Sequence, residues 1–532
     1  MEKFNSIWLI LFAAILLLFL RLGSTTVFQV AEARNAECAA EMMRNHQYIV
    51  PVFNGKIRTD KPPLHYYAMM AAYSVAGKSE VAARFFSAIC GILVVAAVYV
   101  WTRKHYGNKA AILSALILLS SLHVCLQFRL ATPDPYLILT HLLALLAFHE
   151  GYVSGNRKWI YAMHLFLGFA ILAKGPVGLL LPAFTIFVYL LSNKDLNATS
   201  IRGLQPIAGI LVIAAVALPW YLLAHKHSNG EWTRGFFLEH NIGRFKQPTE
   251  GHKGPFFMPL LFLLGGLFPF SLFLPRVIIT VMKDFRRDKS QWLLLVSAAC
   301  IVLLYSVSST KLINYTSPAY PFLAIIMGVN LSRVEGSIFR AERIILAIIT
   351  MAIPVTAYIL FEKEGMAIPE YTPLLFLLYP IAAIAAWILL DKSQTFKALQ
   401  ALAVISMGQV LVFFGLVFPS MDRTGSVYRL KNIIRDAPSV IAFDDLNDAF
   451  VFYRNAPISL VKEKDSLLNI LQQQPGTVVI EKAKQSAIEE WRPPLEIIAQ
   501  AKDLFSSRTS FIYRQTEKIQ TDGNNPGNRG LQ

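Results

Sequence analysis

The sequence predicts an all-α integral membrane bundle of about thirteen transmembrane helices, followed by a small C-terminal α/β domain. Three observations lead there. Of 532 residues, 55% are hydrophobic, and mean hydropathy is +0.47. The apolar residues fall in blocks of roughly 17–25, the length that crosses ~30 Å of hydrocarbon. From residue 421 that pattern gives way to short β-rich runs separated by polar, helix-compatible stretches.

The first block, "IWLILFAAILLLFL", is too long and uncharged for a soluble strand. No small-residue cleavage site follows it, so it reads as a retained span. Further spans are expected near 82–101, 109–128, 136–153, 159–173, 175–192, 204–224, 256–281, 291–307, 312–332, 342–360, 371–390 and 397–418. Only "KGP" separates 159–173 from 175–192.

With a cytoplasmic N-terminus, the inner loops hold Arg103/Lys104, Arg157/Lys158, Lys194/Arg202, Lys283/Arg286/Arg287/Lys289, Arg333/Arg340/Arg343 and Lys392/Lys397. All are basic, as the positive-inside rule requires. The outer side then receives loops 23–81 and 225–255 and everything after residue 419. Much of the net charge of +16 is therefore topological signal, and no nucleic-acid partner is expected.

In the C-terminal region, 421–515, "SVIAFDD", "AFVFYR", "ISLV" and "TVVIEK" read as strands, and "SVYRLKNIIRD" and "EKDSLLNILQQQPG" as helices. The Gly/Asn-rich tail 516–532 reads as disordered. Cys90, Cys125 and Cys300 lie in predicted spans and Cys38 in a loop, without Cys-x-x-Cys or Cys/His ligand spacing. There is no GxGxxG after a strand and no GxxxxGK[ST], which disfavours a nucleotide-driven pump or a nucleotide-sugar enzyme.

The outer loops carry the chemistry. In "VAEARNAECAAEMM", Glu32, Arg34, Glu37 and Glu41 alternate with Ala33, Ala36, Ala40 and Met43, the spacing of an amphipathic helix lying in the membrane interface. "YIVPVFNGKIR" reads as a turn with Asn54-Gly55 at its tip. Four charged clusters then face the same side: Asp60-Lys61-Pro62-Pro63; "RLATPDPYL" with Arg129 and Asp134; the charged, ring-rich loop with His240, Arg244 and His252; and "SSTKLINY" with Lys311 and Tyr315. Charges at membrane depth are expensive and mark function or paired structural roles.

A transferase on that side needs a donor that arrives in the bilayer, and a polyprenyl-phosphate sugar fits. Its leaving group is a lipid phosphate. The protein must place cations around that phosphate and orient the attacking group. Lys61, Arg244 and Lys311 are candidate phosphate clamps. Arg34, Arg129 and Tyr315 are candidate substrate contacts.

The ordered runs "AEARNAECAAEMM", "VPVFNGKIRTDKPPLHYY", "SEVAARFFSAICG", "RLATPDPYLIL", "LAKGPVGLLLP", "FFLEHNIGRF", "EGHKGPFF" and "STKLINYTSPAYP" carry a resemblance. They resemble the bacterial GT-C superfamily glycosyltransferases related to lipid A aminoarabinose transferase and the protein O-mannosyltransferases. The resemblance runs from residue 1 to about 330. It implies a GT-C-type bundle in the inner membrane that moves a sugar, with inversion, from a polyprenyl phosphate to a lipid A-like, envelope glycan or protein acceptor. Asp60 and His240 are the implied ligands of a divalent metal (zinc in the aminoarabinose transferase), with His252 a second candidate histidine. Lys61 and Arg244 match phosphate-facing positions, and Asp134 an active-site aspartate. Many relatives open the first loop with Asp-Glu-x-Arg-Tyr-Ala-Glu; here Ala31 and Asn35 replace the aspartate and the tyrosine. Glu32 and Asp134 are then left for acceptor orientation or base work, and Lys61 for catalysis at the phosphate. The rival reading is a lipid-linked-sugar flippase. It predicts midplane charges and two similar halves with broken helices, whereas here charges sit at the rim and no half-repeat is visible.

Overall fold

The computed structural model describes residues 2–243, 254–334, 340–364, 369, 371–392, 394–486, 488 and 495–515. The chain divides into two units, one of Met1–Thr25 with Cys38–Ser420, the other of Thr26–Glu37 with Met421–Gln532.

The first unit is the helical bundle. Among the described residues, seven helices are long and apolar enough to cross a membrane. An eighth span arises if the pair Met258–Gly266 and Phe270–Asp284, bent by 117°, counts as one. Shorter apolar helices cover Ser6–Phe19, Asn108–Ser120 and Val177–Ser192. Among the described residues, helices of full crossing length are thus fewer than the thirteen spans expected, and proline accounts for two of the differences. Pro269 interrupts the expected 256–281 span, and Pro318 and Pro321 leave 312–332 as a 3₁₀ segment, Ile313–Ala319, followed by a short helix, Tyr320–Leu331. Helix Pro206–His227 turns Ile207, Ile210 and Leu211 outward, and helix Arg340–Lys363 does the same with Ile348 and Met351. Only lipid satisfies such faces, so the protein is membrane-embedded and multi-span.

Local chemistry sets the helix ends that matter for function. In helix Glu80–Tyr106, the Ser79 hydroxyl caps the start by accepting from the Ala82 N–H at 3.2 Å. Arg103, Lys104 and His105 in its last turn complement the dipole. Helix Asp134–Ser154 begins between Pro133 and Pro135 and stops at Gly155, φ 66°. Helix Arg157–Lys174 runs back beside it and ends at Gly175, φ 74°, before Pro176 and helix Val177–Ser192. The three residues "KGP" are therefore a true break between two helices.

Helix Val30–Arg44 forms, but not as an interfacial amphipathic helix. Glu32, Asn35, Glu37 and Glu41 are all buried, which a helix resting on lipid headgroups would not allow. Glu41 has a specific reason. Its carboxylate accepts from the Asn54 N–H at 2.7 Å and the Gly55 N–H at 2.8 Å. These residues, with φ 54° and 76°, form the turn between β1 (Val52–Phe53) and β2 (Lys56–Ile57). All four cysteines are buried and free.

The second unit is built on a five-stranded mixed sheet. β3 (Val440–Phe443) pairs in parallel with β4 (Ser459–Val461) and β5 (Val478–Ala483). Antiparallel β7 (Thr509–Gln515) and β6 (Leu495–Lys502) complete the order β4-β3-β5-β7-β6. Ile441, Phe443, Leu467, Leu471, Val479 and Tyr513 form its core. "AFVFYR", expected as a strand, is helix Ala449–Arg454, ended by Asn455 at φ 57°. A six-residue apolar run has no periodicity long enough to separate the two states. Segment Thr26–Glu37 joins this unit: the Thr26 N–H and hydroxyl donate to Asp422 at 2.9 and 2.6 Å, and Arg34 Nε donates to Asp448 at 2.8 Å. The expected disordered tail, 516–532, lies outside the described residues.

Candidate functional site

Asp60 lies just before the Pro62-Pro63 corner that leads into helix Leu64–Ala76. Arg58 grips it with a forked contact, Nε to Oδ1 at 2.6 Å and Nη2 to Oδ2 at 3.0 Å. Lys61 Nζ stands 3.8 Å from Oδ2 and donates to the Asp60 carbonyl at 3.1 Å. Burial alone would raise the Asp60 carboxyl. Arg58 and Lys61, with His240 adding its charge, outweigh burial and hold it well below the usual carboxylate range. His65, fully buried on the next helix, is held neutral by burial and by the same two cations. The corner is thus net cationic, with one carboxylate fixing its geometry.

Asp134 forms a second centre. Its carboxylate accepts from Lys174 Nζ at 2.5 Å on Oδ1 and from Asn314 Nδ2 at 2.8 Å on Oδ2. The helix N-terminus it occupies favours negative charge. Lys174 Nζ also lies 5.1 Å above the Tyr315 ring, which packs 4.6 Å from Tyr305. Asp134 and Lys174 are 4% and 13% exposed, so neither charge is water-screened.

The segment Glu231–Gly243 ties the two centres together. Trp232 Nε1 donates to the Arg58 carbonyl at 3.0 Å, and Gly235 packs against Thr59, the neighbour of Asp60. The next residue, Phe236, stacks on Trp232 at 4.7 Å and presses its ring against Gly175, the neighbour of Lys174. A Cβ at Gly175 would lie 2.4 Å from that ring, so glycine is required there twice over, for contact and for φ. From Gly235 the backbone winds as a π-helix through His240, and Asn241 Nδ2 donates to the Phe236 carbonyl at 2.6 Å. Wide turns of this kind concentrate at functional sites. One aromatic wedge, Trp232 with Phe236, thereby fixes Asp60-Lys61 and Lys174-Asp134 to a single platform.

The remaining candidates are placed elsewhere or otherwise employed. Arg129 donates to the carbonyls of Leu17 and Leu20, both at 2.8 Å, and lies 4.3 Å over the Phe414 ring. That is a cap on the end of the first helix, Glu2–Phe19, and it uses the donors expected to meet a phosphate. Lys311 spends its three N–H donors on the carbonyls of Tyr305, Ser306 and Ser308, at 2.9, 2.6 and 2.6 Å, closing helix Lys289–Val307. Glu32 and Arg34 belong to the second unit, where Arg34 pairs with Asp448. Arg244 and His252 lie outside the described residues. A cavity of about 450 Å³, lined by Arg276, Arg287, Asp288, Gln291 and Arg333, opens at the start of helix Lys289–Val307. It contains none of these candidates and sits at the end opposite Lys311.

Sequence reasoning missed Arg58, Lys174 and Asn314. The signal for Lys174 was present: a charge closing an apolar helix at a Gly-Pro break, one helix on from Asp134. As metal ligands, Asp60 and His240 supply one carboxylate and one imidazole within electrostatic reach of each other. A zinc centre takes three or four protein ligands. No third joins this pair among the described residues, and both Asp60 oxygens already accept from Arg58.

Residues 60–222 match the family model described as dolichyl-phosphate-mannose-protein mannosyltransferase. A protein of Aquifex aeolicus, described only as uncharacterized, is 31% identical over 57% of this chain and 67% of its own length. The undecaprenyl phosphate-alpha-4-amino-4-deoxy-L-arabinose arabinosyl transferase of Edwardsiella ictaluri is 28% identical over 60% of this chain. The match spans 58% of that relative, short of two thirds of its length. Among solved structures, ArnT from Cupriavidus metallidurans bound to undecaprenyl phosphate superposes with a TM-score of 0.81 at 21% identity, covering 95% of this chain and 97% of that one. The fold is therefore ArnT-like along nearly the whole chain.

Proposed function

Because the chain belongs to the GT-C superfamily, among the relatives of lipid A aminoarabinose transferase, we propose that it is a glycosyltransferase using a polyprenyl-phosphate-linked sugar donor. The acceptor would be lipid A-like, an envelope glycan or a protein. The reaction would occur on the periplasmic face of the inner membrane, the side on which the positive-inside pattern leads us to expect loops 23–81 and 225–255.

The acceptor oxygen attacks the anomeric carbon as the C–O bond to the lipid phosphate breaks, giving inversion and free polyprenyl phosphate. Positive charge grows on the sugar and negative charge on the departing phosphate. Lys61, placed beside Asp60 at the Pro62-Pro63 corner, is the cation assigned to that phosphate. Arg244 is its expected companion from the resemblance. A contact made only as charge develops is worth about 2.7–4 kcal/mol, or 10²–10³ in turnover.

Asp134 is held on both oxygens by Lys174 and Asn314, which suits it to orient an acceptor better than to act as a strong base. From the resemblance, Glu32 is the candidate base for a hydroxyl acceptor, while an already ionised phosphate acceptor would need none. The flippase reading is not favoured, since the named relatives are transferases.

The wedge that joins the Lys61 and Asp134 centres supports this reading most strongly. Its test is incubation of the purified protein with a polyprenyl-phosphate sugar, labelled in the sugar, and envelope acceptors. Label should move to an acceptor with release of polyprenyl phosphate. Label that only crosses a bilayer, still attached to its lipid, would favour the flippase.

A further inference from the structure

At the far end of the bundle from Asp134, three side chains converge that the transfer reaction does not use. His105 stands in the last turn of helix Glu80–Tyr106. His149 and Glu150 stand near the end of helix Asp134–Ser154, sixteen residues from Asp134, or about 24 Å along the axis. One ligand atom from each lies within 4.8 Å of the others. His105 Nε2 is 2.6 Å from Glu150 Oε1, and His149 Nδ1 is 3.9 Å from the same oxygen.

We propose that His105, His149 and Glu150 form a divalent transition-metal site, zinc being the best match, which staples these helix ends. The decisive group is His149. Its ring is 2% exposed, and Nε2 is engaged with the Ser290 hydroxyl at 2.7 Å. With Nε2–H donating to that hydroxyl, Nδ1 presents a bare lone pair toward Glu150, and among the described residues it has no hydrogen-bond partner. An unmet buried polar atom costs about 1–3 kcal/mol and calls for a ligand. A histidine whose second nitrogen is fixed by an outer hydrogen bond is the usual form of a metal ligand.

Two imidazoles and one carboxylate form a zinc set with an open fourth position for water. Ligands around a tetrahedral zinc stand about 3.3 Å apart. The 2.6 Å gap must therefore open and the 3.9 Å gap close, by movements within side-chain reach. A metal ligand must present a bare lone pair, so coordination replaces the His105–Glu150 contact with two bonds to the ion. Lys104 pairs with the other carboxylate oxygen, Oε2, and is 58% exposed, so it can stay or swing away. Trp101 packs on both histidines, at 4.5 and 5.1 Å between rings, and supplies the apolar wall that strengthens such a site. Through Ser290, the first residue but one of helix Lys289–Val307, the staple reaches a third helix.

The test is metal stoichiometry on the purified full chain in detergent, stripped with chelator and re-equilibrated with Co²⁺ or Zn²⁺. The wild type should hold one equivalent that is absent from His149→Ala and from His105→Gln but persists in Asp60→Asn, with Co²⁺ giving a tetrahedral visible spectrum. His105→Gln serves if His149→Ala does not stay monodisperse, because its side chain is partly exposed. No bound metal in the wild type, or an equivalent retained in both histidine variants, overturns the proposal.

Discussion

Lys174 Nζ lies 2.5 Å from Asp134 Oδ1, joining the last residue of one helix to the first residue of its antiparallel neighbour. The pair fixes the register of two helices, with Asn314 bonded to the aspartate and the Tyr315 ring beneath the ammonium.

Breaking the pair from one side strands a buried charge. Lys174→Met should destabilise the protein by about 3–5 kcal/mol, while Lys174→Met with Asp134→Asn should recover most of that. Turnover should recover in neither. Thermal melts in detergent, combined with transfer assays, measure both. Restored activity in the double variant would remove Asp134 from the mechanism.

Asp60 gives a stability signature with a definite sign. Its folded carboxyl is held below the ordinary value of about 3.9, so its contribution is complete above that value and is lost as pH falls through the folded one. The melting-temperature gap between wild type and Asp60→Asn should therefore stay constant from about pH 7 to 5 and shrink below about pH 4. A gap that shrinks between pH 7 and 5 would mean that the Arg58 pairing does not hold in solution.

Gly175 is the narrowest point of the platform. Gly175→Ala combines a left-handed backbone with a 2.4 Å approach to Phe236, so the wedge must shift. Displacements of about 1 Å can cost 10²-fold in rate. The variant should lose about that much turnover with a smaller change in donor KM. Wild-type kinetics would show that the wedge does not hold the two centres in register.

Much of this was legible in the sequence, for identifiable reasons. Apolar block length revealed the bundle, and the Asn54-Gly55 turn announced itself by residue type. Strands β3, β4 and β5 were visible as β-branched runs, while Ala449–Arg454 was too short to type. Prolines inside long apolar blocks were the signal that 256–281 and 312–332 would break. Asp60, Lys61, His240 and Asp134 stood out as charges at the rim. What stayed hidden was pairing: that Arg58 serves Asp60, Lys174 serves Asp134, and Arg129 and Lys311 serve helix carbonyls. Arg129 stands 112 residues from Leu17 and Lys174 stands 40 from Asp134, so the packed bundle makes those pairs, while the local pairs of Arg58 and Lys311 depend on how a loop and a helix end fold back.

Sugar transfer from a polyprenyl-phosphate donor, measured with wild type, Lys61→Ala and Asp134→Asn at matched folded concentrations, is the most direct test. Each substitution is predicted to lower turnover by at least about 10²-fold with the fold intact. Wild-type turnover in both variants would show that neither the cationic corner nor the aspartate at the helix start takes part in the reaction.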